Sequence, residues 1–274
     1  MSSQLPESFL DALVAEITDE QTLGVFLGGS YARGDASEYS DVDLARMIPD
    51  DHAIPPKTHA YREGRLVSFG TKSCGSWRRQ MADPFTAIVA VPGLRQCRIL
   101  LDKTGALAAL QREALEFTWE QIEPRATALV NEILMDAGEY AHKVLTAYGQ
   151  ADRLSLAKSL HWLLQYLTLT VAVRYGVLVT SANTYFADVQ AAVGRDSRWS
   201  HLLELVACGW GVTADETSVA MTMRQQAQTL LGWYVETVRL ARPLLQADTL
   251  RVAEQSLVVI ARAGFADSGE EEPA

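Results

Sequence analysis

Gly28, Gly29 and Ser30 interrupt an apolar run that begins at Val25, and eleven residues after Ser30 come Asp41 and Asp43, set between Val42 and Leu44. Glycines let a backbone approach phosphate oxygens closely, and the hydroxyl beside them adds a donor. Two carboxylates at i and i+2 of a strand point to one face. Oxygen ligands of this kind hold a divalent cation together with a polyphosphate. Arg33 follows three residues after Ser30 and brings a guanidinium suited to bidentate phosphate binding. These types and spacings describe a site for a nucleoside triphosphate held on a divalent metal.

The elements that must position this run can be read from periodicity. Leu10, Leu13, Val14 and Ile17 mark an amphipathic helix over 6–19. Thr22–Leu27 reads as a first strand, Val42–Ile48 as a second, Arg65–Lys72 as a third and Arg98–Leu101 as a fourth, with a Pro- and Asp-rich loop over 49–58. Asp83 and Pro84 suit the start of a short helix. The turn Asp102-Lys-Thr-Gly105 closes this half, and beyond it the period changes to that of helices. Helices are predicted over 106–120, 124–149, 153–175, 184–193, 198–208, 214–243 and 247–262. The fold class is α+β: a small mixed sheet in residues 1–105, a helical bundle in 106–264, and an acidic, disordered tail over 265–274.

Composition narrows the partners. The net charge of −10 disfavours nonspecific binding to nucleic acid, whose affinity comes from neutralised phosphates, and suits a cationic small molecule. Four of the acids lie in the tail, so the main body is less acidic than the total suggests. No apolar run is long enough for a membrane span, and the first residues lack the basic and apolar regions of a signal peptide. Three widely spaced cysteines, Cys74, Cys97 and Cys208, fit a reduced, cytoplasmic protein and no zinc site.

Gly29-Ser30 followed by Ser40-Asp41-Val42-Asp43-Leu44 resembles the signature of the DNA polymerase beta nucleotidyltransferase superfamily. Within it, the chain is similar to small bacterial nucleotidyltransferases of the aminoglycoside and lincosamide resistance type, which join a small catalytic domain to a helical bundle. The resemblance is sharp over residues 23–48 and rests on layout elsewhere. It implies an enzyme that moves a nucleoside monophosphate, AMP from ATP, to a hydroxyl of a small-molecule acceptor. Asp41 and Asp43 would bind Mg²⁺, Gly29 and Ser30 the β- and γ-phosphates, and Arg33 a phosphate. Relatives that build the site between two subunits make a homodimer a further expectation.

One departure stands out. The family pattern has a third carboxylate on the next central strand, and Arg65–Lys72 contains no acid. Alternation puts Ser68 opposite the aspartate pair. Either Glu63 substitutes, or two aspartates and solvent hold one metal, or the site is degenerate and the protein binds nucleotide without turning it over. Asp83 and Asp102 read better as cap or turn residues. Some resistance enzymes take a base from the helical domain. Glu139 is the candidate here, with Lys143 one helical turn on as a phosphate ligand, the alternative being a surface ion pair. His142, His161 and His201 read as packing or capping residues. A toxin-type enzyme acting on protein or RNA keeps the same chemistry with a different acceptor, and the net acidity argues against RNA.

Overall fold

A computed structural model describes residues 4–208 and 222–265. The chain divides into two compact units, Met1–Ile122 with Leu178–Tyr185, and Glu123–Val177 with Phe186–Ala274.

The first unit begins with α1 (Glu7–Ile17) and β1 (Gly24–Leu27), followed by the short α2 (Gly29–Arg33) and β2 (Val42–Ile48). A hairpin of β3 (Thr58–Arg62) and β4 (Arg65–Ser73) comes next, then α3 (Cys74–Ala82), α4 (Pro84–Gln96), β5 (Arg98–Asp102) and α5 (Ala106–Glu116). The strands form one sheet in the order β3-β4-β2-β1-β5. β2 and β4 run parallel and the other pairs antiparallel, so the sheet is mixed, as expected.

Alternation along the strands sends apolar side chains to both faces, and each face is covered. Val25, Leu27, Val42, Leu44 and Val67 pack with Phe9, Leu10 and Leu13 of α1. Phe26 and Met47 pack on the other face with Trp77 and Met81 of α3, Val91 and Leu94 of α4 and Leu107 and Leu110 of α5. Asp43 has the parity of Ala45 and Met47, and so belongs to this second face at the open start of β2.

Three readings need correction here. The strand β3 starts at Thr58, the last residue of the predicted loop, and runs through residues to which no strand is assigned from sequence; it is an edge strand with three exposed residues and no apolar run to reveal it. α2 and α3 also escaped the periodicity. The structural division falls after Ile122 rather than Gly105, because Leu107, Leu110 and Ala114 of α5 are buried against the sheet-side core.

The second unit contains α6 (Glu123–Gly149), α7 (Arg153–Arg174), α8 (Tyr185–Val193, from its second residue), α9 (Arg198–Cys208), α10 (Met223–Ala241) and α11 (Ala247–Ile260). Its core includes Trp199 and Trp233, whose rings lie 5.5 Å apart, and the Trp199 indole donates to Thr237 Oγ1 at 2.9 Å. Asn131 ties α6 to the α10–α11 connection, donating to the Leu244 carbonyl and accepting from the Gln246 N–H. The first part of the helix predicted over 214–243, and all of the predicted tail except Phe265, lie outside the described residues. No helix among the described residues is long and apolar enough to cross a membrane.

Candidate active site

β1 ends at Leu27, and the Gly28 N–H donates to the Asp43 carbonyl at 2.8 Å, which brings the turn against the start of β2. Gly29 then adopts φ +63°, a conformation that favours glycine. A Cβ on Gly29 would lie 2.5 Å from Asp43 Oδ2, so the backbone here abuts the carboxylate as no other residue type could. Gly29 and Ser30 head α2, whose far end is closed by Gly34 in the left-handed conformation. Arg65 of β4 holds α2 in place by donating to the Tyr31 hydroxyl at 2.8 Å.

Gly29, Ser30, Arg33, Asp41 and Asp43 line one cleft of about 530 Å³. Asp41 stands one residue before β2 rather than within it. Arg33 pairs with Asp35 at 3.1 Å, and both line the same cleft. Ser181, Ala182, Asn183 and Thr184 line the same cleft. These come from the Leu178–Tyr185 segment, which follows α7 in sequence but packs on the first unit: the Val179 N–H donates to the Ile88 carbonyl at 2.7 Å and Leu178 lies against the α3–α5 core. Nothing in its composition marks this strap as a wall of the site.

Burial raises the Asp43 pKa, and the Asp41 charge adds to that; Lys57, the Ser68 hydroxyl and His59 oppose it. Lys57 Nζ lies 3.9 Å from Asp43 Oδ1. Ser68 is opposite Asp43 in the parallel register, as alternation predicts, and His59 is opposite Ser68 on β3. The Ser68 hydroxyl is buried and makes no hydrogen bond of normal geometry, although it is close enough to lower the Asp43 pKa.

No third acid joins the pair: among the described residues there is no group of three or more His, Cys, Asp or Glu that could hold a metal. Glu63 sits in the two-residue β3–β4 turn at φ +49°, five residues from Ser68, or roughly 16 Å of strand. It is therefore not a substitute. Asp83 caps α4 by accepting the Phe85 N–H, and Asp102 accepts the Gly105 and Ala108 N–H groups at the start of α5. Two carboxylates and a buried hydroxyl still suit Mg²⁺, which keeps several waters and takes one or two carboxylates with substrate phosphates.

Glu139 and Lys143 belong to the second unit. They pair with each other at 2.7 Å across one turn of α6, both exposed, and Lys143 Nζ also lies 4.3 Å over the Tyr140 ring. Cys74, Cys97 and Cys208 are free thiols. Lys57, His59 and the strap are the residues that sequence reading missed. Lys57 follows Pro55-Pro56 in a stretch without periodicity, so no local signal marks it.

Residues 10–71 match the family model of the nucleotidyltransferase domain. Among solved structures, a nucleotidyltransferase-like protein from Exiguobacterium sibiricum is similar in fold, with a TM-score of 0.53 and 13% identity over 93% of this chain and 79% of that one. No curated protein matches the chain. Motif, strand register and family match all fall on the same part of the first unit, and this part is a nucleotidyltransferase domain of the DNA polymerase beta superfamily.

Proposed function

We propose that the chain transfers a nucleoside monophosphate, AMP from ATP, to a hydroxyl of a small-molecule acceptor, with Mg²⁺ on Asp41 and Asp43. The observation that carries this reading is the convergence of Gly29, Ser30, Arg33, Asp41 and Asp43 on one cleft. A bound Mg²⁺ would neutralise phosphate charge and hold the α-phosphate for in-line attack. Gly29 and Ser30 receive the β- and γ-phosphates through N–H groups and the hydroxyl, and Arg33 adds a charge-assisted contact. The strap residues Ser181 and Asn183 line the same cleft and position the nucleoside. The acceptor oxygen forms a bond to the α-phosphorus as the bond to the bridging oxygen breaks. Pyrophosphate leaves, and the acceptor proton passes to solvent or a base.

An aminoglycoside or lincosamide is the acceptor class that the resemblance implies. The test is pyrophosphate release from ATP, GTP, CTP and UTP with Mg²⁺ against a panel of such compounds, with Asp43→Asn as the blank. Release above the blank with one acceptor supports the enzyme and identifies its acceptor. Among the described residues no third carboxylate joins Asp41 and Asp43, and this favours a second reading, a nucleotide-binding protein with a degenerate site. ATP binding without pyrophosphate release for any acceptor would support it.

A further inference from the structure

The two oxygens of Asp43 have different neighbours. Oδ2 abuts Gly29, whose added Cβ would lie 2.5 Å away, while Oδ1 lies 3.9 Å from Lys57 Nζ. Ser68 and His59 continue from Asp43 across β4 and β3 on the same face, because they are opposite one another in register. Lys72 lies further along β4 on that face, and burial lowers its pKa, with repulsion from Lys57 adding to that. The Gly29 side of Asp43 is thus backbone, and the Lys57 side is basic.

We propose that Lys57 stands in for a second metal ion, so that the site works with one divalent cation on Asp41 and Asp43 and an ammonium on the other side of Asp43. The inference rests on the nucleotidyl-transfer reading above. If the pyrophosphate end of the nucleotide lies on Gly29 and Ser30, in-line attack brings the acceptor oxygen to the opposite side of the α-phosphate, and Lys57 stands at the Asp43 oxygen that does not abut Gly29. A two-ion centre needs its ions about 3.5–4 Å apart, with anionic ligands for each. Here a second ion would compete with Lys57 at Asp43 Oδ1, and neither Ser68 nor His59, the other side chains that act on Asp43 from β4 and β3, is anionic. Two carboxylates balance the charge of one divalent ion. The ammonium then supplies the positive charge that draws the acceptor oxygen towards its alkoxide form and stabilises negative charge at the α-phosphate. An exposed ion pair would ordinarily contribute little to stability, and Lys57 is 56% exposed. Its position on the carboxylate that the metal needs gives it a role beyond stability.

Mn²⁺ electron paramagnetic resonance on the full chain, with a non-cleavable ATP analogue and saturating Mn²⁺, reads the number of ions directly. A single-ion hyperfine pattern is expected for the wild type and for Lys57→Met, and an exchange-coupled pair for Lys57→Met combined with Ser68→Asp. Lys57→Met should lower kcat at least roughly tenfold while KM for ATP changes less than about threefold, as expected for a contact made in the transition state. Lys57→Arg should keep part of the rate. A coupled Mn²⁺ pair in the wild type, or normal kcat in Lys57→Met, would overturn the proposal and leave nucleotidyl transfer standing. Absence of protein-bound Mn²⁺ in the wild type, with no pyrophosphate release, would remove the metal reading itself and this proposal with it.

Discussion

Gly29→Ala separates backbone strain from damage to the carboxylate. At φ +63° an alanine costs about 1–2 kcal/mol, because its Cβ crowds the neighbouring carbonyl. The new Cβ would also stand 2.5 Å from Asp43 Oδ2, and real Cβ atoms keep at least 3.0 Å. Asp43 must therefore swing by about 0.5 Å or more. Misplacing a reacting geometry by about 1 Å can reduce rate about a hundredfold, so a loss of roughly 10- to 100-fold in kcat/KM is expected. That corresponds to about 1.4–2.7 kcal/mol of lost transition-state stabilisation. Gly34 provides the control: it has φ +83°, but a Cβ added there would meet nothing within 4 Å. Gly34→Ala should lose a similar amount of stability, a melting shift of roughly 2–8 °C, with kcat/KM within a few fold of wild type. The assays are thermal denaturation and pyrophosphate release for both variants. Equal activity of the two variants would refute the role assigned to the Gly29–Asp43 contact.

Asp41→Asn or Asp43→Asn should abolish transfer and leave the melting temperature within a few degrees, because each removes charge and no packing; normal turnover by either would end the metal assignment. Asn183→Ala should raise KM for the nucleotide about two- to tenfold with a smaller change in kcat, as for a contact made equally in ground and transition states. An unchanged KM would show that the strap bounds the cleft without touching the nucleotide. Glu139→Gln should change kcat less than about twofold, since the exposed pair with Lys143 accounts for that carboxylate. A hundredfold fall would make Glu139 the general base.

Much of the local chemistry could be read from the chain alone. The apolar run into Gly28-Gly29-Ser30, the Asp41–Asp43 spacing and the alternation that puts Ser68 opposite Asp43 are short-range facts, set by strand period and glycine conformation. The long helices were legible for the same reason: the span 124–149 was predicted and α6 runs over Glu123–Gly149. The edge strand β3 was not, because an exposed strand carries no apolar period. The whole-chain charge suggested a cationic acceptor, yet the flank of Asp43 is basic, and charge totals say nothing about where side chains gather.

What the sequence determined by itself was the kind of site: the residue types, their spacing and the strand–turn–strand that carries them. Tertiary structure decided what else stands there. Lys57 reaches Asp43 because β3 pairs outside β4, and Asn183 reaches the same cleft because Leu178 and Val179 anchor a strap far along the chain onto α4 and its core. Those contacts are made by sheet order and packing between segments distant in sequence, and no local pattern encodes them.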